Sequence, residues 1–154
     1  MESSYGWEME ETARRAAELV QRFGIKPNRV VYDRSGLGEG FGAMLRNAGI
    51  TGAIGFLGGS EARGHQKKFE NLKSASAWQL RTRLNPAQTA DPFAIPPELA
   101  AQLRPELQAY TYETTGKDKN QLTDKKTITA RLGRSPDLAD ALIMSFVAID
   151  RGAA

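Results

Sequence analysis

The most constraining feature of the sequence is a short apolar run that ends in an acid and is followed by alternating glycines. Residues 29–33 read Arg-Val-Val-Tyr-Asp, and residues 35–40 carry a glycine at every second position. The β-branched run predicts a short buried strand, and the glycines predict a sharp turn into a helix. A helical pattern over 7–23 precedes this strand and a second strand pattern over 52–57 follows it. The helix–strand–helix–strand order predicts two neighbouring parallel strands.

The rest of the chain predicts more helices and one hairpin. Phe23 falls on the apolar side of the first helical pattern, and Gly24 is a suitable terminator. The last helix has the clearest start, with Ser135 as N-cap and Pro136 at its first position. The remaining predicted elements are a long helix over 67–84, a short helix from Pro97 to about Arg104, a strand over 107–113, its hairpin partner over 121–123 and a basic helix over 124–132.

Size and composition place limits on the class of protein. The 154 residues fit one domain, residues 1–154, without cysteine. No apolar run reaches the roughly 20 residues of a membrane span, and no signal peptide is visible at the N-terminus. These features predict a protein of the cytoplasm that has no membrane partner.

Three aspartates are the candidates for chemistry. Asp33 ends a predicted strand, and ligands of open α/β sheets bind at that end; the alternative is that Asp33 only caps the following loop. Asp140 lies in an otherwise apolar helical stretch, where a buried charge must be paired or bound to a cation; the alternative is that Asp140 faces solvent or pairs with a basic residue such as Arg134. Asp137 lies three residues earlier on the same helix, although acids are common in first turns.

Aspartates in this arrangement suit a hard divalent cation. Mg²⁺ and Mn²⁺ take oxygen ligands, often one or two carboxylates with waters and phosphate oxygens. Two such ions hold a scissile phosphate and activate water in nucleases. We therefore expect Asp33, Asp140 and Asp137 to form one metal site. His65, the only histidine, is predicted to lie in a surface loop, and a zinc site is not expected.

Basic residues concentrate in two segments. Residues 61–84 carry six Lys and Arg against two acids, and residues 117–134 carry six against two. Such segments predict contact with a polyanion, with solvated surface as the alternative. The candidate DNA-binding residues are Arg63, Lys67, Lys68, Lys73, Lys117, Lys119, Lys125 and Lys126.

Competing phosphate-binding motifs fit poorly. The dinucleotide fingerprint after a strand requires Gly or Ala where this chain has Phe41, and the P-loop pattern lacks its Gly-Lys-Ser/Thr end. The glycines after Asp33 also resemble the first motif of class I methyltransferases. Those enzymes place an acid at the end of the next strand, and here that strand ends at Leu57 and Gly58.

Three segments together resemble the nuclease domain of phage terminase large subunits. Residues 31–38, Val-Tyr-Asp-Arg-Ser-Gly-Leu-Gly, are similar to the family's second acidic motif. Residues 69–73, Phe-Glu-Asn-Leu-Lys, with Trp78 after them, resemble the helix that follows. Residues 131–142 are similar to the final signature, which is the most specific of the three. The resemblance runs in order over about residues 15–150.

The resemblance implies an α/β, RNase H-like fold with a central mixed sheet, flanking helices and a β-hairpin. It implies that Asp33 is the second catalytic acid and Asp140 the third, with Asp137 auxiliary. The implied activity is a Mg²⁺- or Mn²⁺-dependent DNA endonuclease that cuts concatemeric phage DNA during head packaging in the bacterial cytoplasm. The implied partners are double-stranded DNA, the terminase small subunit and the portal protein.

One departure from the family limits the expected activity. The family's first catalytic aspartate lies on an earlier strand, and the ATPase motor precedes that strand. We expect this chain to be a partial, C-terminal portion of the RNase H-like domain that lacks both and cuts DNA poorly by itself. The alternatives are a non-catalytic prophage remnant that binds DNA and, third, a class I methyltransferase-like domain.

Overall fold

The computed structural model describes residues 8–151, and these residues form two compact units. Unit 1 contains the described residues up to Leu57 and those from Val147 onward, and unit 2 is Gly58–Phe146. The described elements confirm a mixed α/β class with small sheets. In chain order they are α1 (Met9–Arg22), β1 (Val31–Asp33), α2 (Phe41–Asn47), β2 (Ile54–Phe56), α3 (Leu72–Leu84), α4 (Pro97–Ala109), β3 (Tyr112–Thr114), β4 (Asn120–Leu122), α5 (Lys125–Leu132) and α6 (Asp137–Arg151).

The core of unit 1 forms where α1 packs on α2. Ala13, Leu45 and Ile50 are buried there, and half-buried side chains such as Val20 surround them. The predicted first helix is confirmed from Met9; Trp7 lies outside the described residues. The placement of Phe23 on its packing face is wrong, because that side chain is 64% exposed. Phe23 follows the last helical residue with φ −101° and ψ 3°, and so leaves the helical face.

The two strands of unit 1 are parallel, as predicted. Val31 pairs with Ile54 and Asp33 with Phe56. β1 begins two residues later than predicted because residues 27–29 form a 3₁₀ turn. The prediction of a buried β1 is only partly met, since Val31 and Tyr32 are half-buried, whereas Ile54 and Phe56 of β2 are buried.

In unit 2, helix α3 begins at Leu72 and not at residue 67. Asn71 caps it by accepting hydrogen bonds from the backbone N and the Oγ of Ser74, both at 2.9 Å. Such a cap defines the first turn, so the preceding residues are free to leave the helix. Phe69 instead forms an isolated parallel bridge with Asn120 of β4.

Helix α4 is longer than predicted and takes residues assigned to the following strand. It continues past Arg104 to Ala109 although Pro105 removes one internal hydrogen bond. Leu103 and Glu106 are fully buried on one face of this helix. That burial, and not local propensity, extends the helix. The hairpin itself is confirmed in a shorter form, with Tyr112 opposite Leu122 and Thr114 opposite Asn120.

Helix α5 lies close to its predicted limits, whereas α6 begins at Asp137, one residue after the predicted Pro136, and has an unexpected cap. Asp124 caps α5 by accepting from Thr127 N at 3.0 Å, and Gly133 ends it with φ +70°. For α6, Ser135 Oγ donates to Asp137 Oδ1, and the N–H of Ala139 donates to the Glu106 carboxylate at 2.8 Å. The observed cap of α6 therefore comes from α4 and not from the predicted Ser135. None of the described helices is long and apolar enough to cross a bilayer.

Candidate functional site

The most interacting acid in unit 2 is Asp140, in the first turns of α6. Its side chain is 17% exposed and lies between the buried Ala139 and Ile143 on the same helix. Lys73 Nζ lies 2.6 Å from its Oδ1, and Lys125 Nζ lies 3.4 Å from its Oδ2. The hydroxyl of Tyr110 also donates to Oδ1. Pairing with basic residues is the alternative given above for this acid; its partners are Lys73 and Lys125, while Arg134 pairs with Glu106.

The electrostatic balance around Asp140 favours its charged form. Burial by itself raises the pKa of the carboxyl group, because the low-dielectric surroundings disfavour charge. Hydrogen bonds from Lys73 and Tyr110, with the charges of Lys73 and Lys125, outweigh burial and place the pKa below its usual value. Asp140 is therefore an ionised carboxylate that accepts from three donors.

Both lysines lie at helix N-termini, where a positive charge is unfavourable. Lys73 is the second residue of α3 and Lys125 is the first residue of α5. Cations near helix N-termini oppose the helix dipole, typically by ~0.3–1 kcal/mol at exposed positions. The negative charge of Asp140 offsets this cost. The starts of α3 and α5 thus meet the carboxylate of Asp140 in unit 2.

Helix α4 and Tyr110, the residue that follows it, each contact the start of α6. Glu106, which is fully buried, accepts from Ala139 N and from Arg134, and Tyr110, four residues later, binds Asp140. Burial, followed by the hydrogen bond to Asp140, raises the pKa of the Tyr110 hydroxyl, so it remains a donor. Sequence reasoning missed both residues. Glu106 and Tyr110 are four residues apart in the sequence. That spacing would have suggested that they lie on one side only if α4 had been predicted to reach Ala109.

Asp137 lies on the exposed side of the same helix start. Its Oδ1 accepts from Ser135 Oγ at 2.5 Å. The spacing of three residues places Asp137 and Asp140 as neighbours along α6, so their closeness on one helix is as predicted. A metal-binding role for either acid stays a prediction.

Asp33 belongs to unit 1 and is exposed at the carboxyl end of β1. Its Oδ1 accepts from Ser35 N at 2.8 Å, which is the loop-capping role given above as the alternative. At Gly38 the backbone leaves no room for a side chain, because a Cβ would lie 1.9 Å from the carbonyl oxygen of Asp33. The glycine loop therefore folds back onto Asp33. Its proximity to Asp140 remains a prediction.

The two basic segments meet at the edge of β4. Asn120 N donates to Lys68 O at 2.9 Å, and Glu70 N donates to Asn120 O at 3.1 Å. These bonds join the segment around Lys67 and Lys68 to the hairpin that carries Lys117 and Lys119. Of the eight candidate DNA-binding residues, all lie in unit 2, and Lys73 and Lys125 pair with Asp140. Contact with DNA stays a prediction.

His65 is exposed, as predicted, and its ring meets the edge of Phe69 with 6.3 Å between centroids. Over residues 8–151, no three His, Asp or Glu side chains are grouped closely enough to hold a metal ion. A metal bound here would be held by fewer carboxylates, together with water and phosphate oxygens.

The arrangement of helices and strands defines the class of fold: it is that of nuclease domains of phage large terminase subunits. The chain is similar to a mutant nuclease domain of the large terminase subunit gp2 of bacterial virus Sf6 with manganese, with a TM-score of 0.72 and 22% identity over 89% of this chain and 72% of that chain. It is also similar to a mutant form with calcium (TM-score 0.71, 23% identity, 89% and 71% coverage) and to the unmodified nuclease domain (TM-score 0.69, 23%, 89% and 71%). No protein-family model and no curated protein matches the sequence.

Proposed function

We propose that this protein is the RNase H-like nuclease portion of a phage large terminase subunit and hydrolyses phosphodiester bonds of double-stranded DNA. The observation that carries the proposal is the carboxylate of Asp140, held ionised by Lys73, Lys125 and Tyr110 within a fold shared with terminase nuclease domains. A fold alone does not define an activity. The nuclease activity is supported in addition by the cluster of Asp140, Lys73 and Lys125 on that fold.

The proposed cofactor is Mg²⁺ or Mn²⁺. The donor chemistry fits a hard cation, because Asp140 and Asp137 offer carboxylate oxygens on one helix and Asp33 offers another at a strand end. Similar nuclease domains have been solved with manganese and with calcium. When bound, the ions would polarise the scissile phosphate and activate water.

In this proposal, residues of α3, α4 and α5 position Asp140 and the DNA. Tyr110 restrains the carboxylate orientation through Oδ1, and Lys73 and Lys125 neutralise it before the cation binds. Freed from Asp140, the same ammonium groups would contact phosphate oxygens of the substrate. The exposed candidates Arg63, Lys67, Lys68, Lys117 and Lys126, together with Lys119, would hold the DNA backbone without reading its sequence.

The biological setting follows from the same proposal. The nuclease would cut concatemeric DNA in the cytoplasm of an infected bacterial cell, and its protein partners would be the terminase small subunit and the portal protein. A pull-down of each partner with this chain, compared with the partner alone, tests these assignments directly.

The test of the activity is cleavage of supercoiled plasmid in the presence of Mn²⁺ or Mg²⁺. Asp140→Asn removes the ligand charge while keeping the side-chain shape, and we expect nicking to fall by roughly 10²-fold or more. Asp91→Asn is the matched control, because Asp91 is an acid of unit 2 that pairs with Arg83 and not with the lysine cluster. Cleavage that survives Asp140→Asn at the level of the control would reject the proposed site.

A second function, DNA binding without cleavage, is favoured by the absence of a group of three acids among the described residues. It predicts that wild-type chain retains plasmid without nicking it at any Mn²⁺ concentration. Mn²⁺ binding, measured by calorimetry, distinguishes the two functions. A nuclease site should bind Mn²⁺, and Asp140→Asn should abolish that binding. A chain that binds DNA but no Mn²⁺ would be the non-catalytic protein. The methyltransferase alternative is disfavoured by the terminase-like fold.

A further inference from the structure

Two cations are held against one tryptophan on the surface of unit 2. The Lys68 ammonium lies 4.8 Å from the centroid of the Trp78 ring, and the Arg81 guanidinium carbon lies 4.8 Å from the same centroid. Tyr112 meets the Trp78 ring edge-on at 5.0 Å between centroids, and Phe69 packs at 5.6 Å. The aromatic cluster thus packs around Trp78, and two long basic side chains lie against its ring.

These two cations have no carboxylate to neutralise them. Over the described part of the chain, neither Lys68 nor Arg81 forms an ion pair, although both are exposed. Arg83, two residues further along α3, does form one, with Asp91 at 2.7 Å. The guanidinium and ammonium of the Trp78 cluster are thus available to an external anion, and phosphate is the anion that such a pair recognises best.

A cavity of about 600 Å³ opens beside the cluster. Trp78, Tyr110 and Tyr112 supply aromatic walls, Leu80 and Ile143 are buried in its lining, and Arg81 is its cationic member. This volume falls in the range of pockets that hold small organic ligands. An apolar, aromatic cavity with a fixed arginine suits a ligand that is planar and aromatic in one part and anionic in another.

We propose that this cavity binds one unpaired nucleotide of a DNA strand, with its base against the aromatic walls and its phosphate on Arg81, the cationic lining residue. The proposal rests on the proposed function, in which unit 2 contacts DNA. A nucleotide of a strand fits both features of the cavity, because it joins a planar base to a backbone phosphate. Proteins that hold single strands combine aromatic stacking with a positively charged path in this way.

The position of the cavity relative to Asp140 supports a strand as the source of the nucleotide. Tyr110 lines the cavity and its hydroxyl binds Asp140, so one side chain contributes to both sites. Asn120 also lines the cavity, and its Nδ2 donates to Lys68 O at 3.3 Å, which ties the cavity wall to the basic segment. A strand that passes Asp140 would place a neighbouring nucleotide at this cavity. Because only an unpaired base can enter the cavity, the cavity would favour frayed or unpaired DNA beside the cut.

The test is a binding comparison in EDTA, so that neither metal nor cleavage contributes. The probes are a fluorescent single-stranded oligonucleotide, the same sequence as a blunt duplex, and free dAMP. Arg81→Gln removes the cavity cation, and Arg104→Gln is the matched control, since Arg104 is an exposed arginine of α4 that does not line this cavity. A Trp7→Phe background leaves Trp78 as the only tryptophan, so its fluorescence reports directly on ligand stacking.

We expect the single strand to bind more tightly than the blunt duplex and to quench Trp78. Arg81→Gln should weaken binding of the single strand roughly tenfold and leave duplex binding and the control unchanged. Equal affinities for both DNA forms, or equal effects of Arg81→Gln and Arg104→Gln, would overturn the proposal while leaving the nuclease function intact. Free dAMP binding as tightly as the strand would also overturn it. Loss of all DNA binding would remove the DNA-contacting function as well.

Discussion

At the scale of single residues, Asp140 illustrates how a charge inside an apolar helix stretch identifies a site. The sequence indicated that a buried charge here must be paired or bound to a cation, and the structure supplies Lys73 at 2.6 Å and Lys125 at 3.4 Å. The partners could not be predicted from the sequence, because Lys73 is 67 residues away in a helix whose start was misplaced. In the proposed function, a divalent cation would compete with these two ammonium groups for the carboxylate oxygens of Asp140.

The competition between Lys73 and a divalent cation is open to a direct test. Lys73→Met keeps the aliphatic stem but removes the charge that competes with a divalent cation for Asp140 Oδ1. We expect the metal-free chain to lose about 1–3 kcal/mol of unfolding free energy, because a partly buried carboxylate loses one donor. We also expect Mn²⁺ to bind roughly tenfold more tightly in calorimetry, because a like charge is gone.

Lys67→Met is the control for this prediction, since it makes the same change of charge at an exposed lysine that does not pair with Asp140. If the two variants bind Mn²⁺ equally, Lys73 does not compete for the site. Weaker binding in Lys73→Met than in the control would show that Lys73 assists the metal.

Gly38 gives a second prediction at this scale. A Cβ at this position would lie 1.9 Å from the carbonyl oxygen of Asp33, whereas a Cβ on Gly40 would meet no atom within 4 Å. Gly38→Ala must therefore move the loop away from Asp33, and we expect a loss of about 1–3 kcal/mol in urea unfolding. Gly40→Ala should change stability by less than about 0.5 kcal/mol. Equal stability of the two variants would mean that the loop does not pack on Asp33.

At the scale of elements, the sequence predicted the existence and order of helices and strands better than their limits. α5 was predicted well because Asp124 and Gly133 are local signals that a helix starts and ends. α4 was predicted too short because Pro105 and the alternation of residues 107–113 favoured a strand. What extends α4 is tertiary: Leu103 and Glu106 are buried. Such a contact has no signature in the local sequence.

Glu106 is the residue through which α4 holds α6. It is fully buried, caps the N–H of Ala139 and pairs with Arg134. Glu106→Ala leaves that N–H and the guanidinium without their acceptor, so we expect a loss of about 3 kcal/mol in unfolding free energy. We also expect the backbone amide of Ala139 at the start of α6 to exchange its hydrogen faster in this variant.

Glu98→Ala on the same helix is the matched control, because Glu98 is exposed in the first turn of α4. We expect that variant to unfold within about 0.5 kcal/mol of wild type. Exchange at Ala139 that is as slow in Glu106→Ala as in Glu98→Ala would show that α6 does not depend on this cap.

At the scale of the whole molecule, the positive charge is concentrated in one part of the chain. Residues 58–146 carry thirteen Lys and Arg against ten Asp and Glu, so the formal net charge of +3 lies in unit 2, and the remaining residues balance to zero. The two basic segments were visible in the sequence. The sequence did not show that the two segments meet at Asn120, because this depends on the bridge between Phe69 and Asn120, two residues 51 positions apart.

This concentration of charge leads to a quantitative expectation for DNA binding. If both segments contact phosphates, each lysine displaces about one counterion, and the logarithm of the affinity for duplex DNA falls steeply with the logarithm of salt concentration. Lys67→Gln and Lys117→Gln, both exposed, should each lower the magnitude of this slope by about one and weaken binding equally for unrelated sequences. Because each lysine would neutralise a different phosphate, the double variant should lower the slope by about two. Lys26→Gln, an exposed lysine of unit 1, is the control and should leave the slope unchanged if unit 2 alone binds DNA. Slopes measured by fluorescence anisotropy that are the same in all four variants would show that these lysines only solubilise the chain.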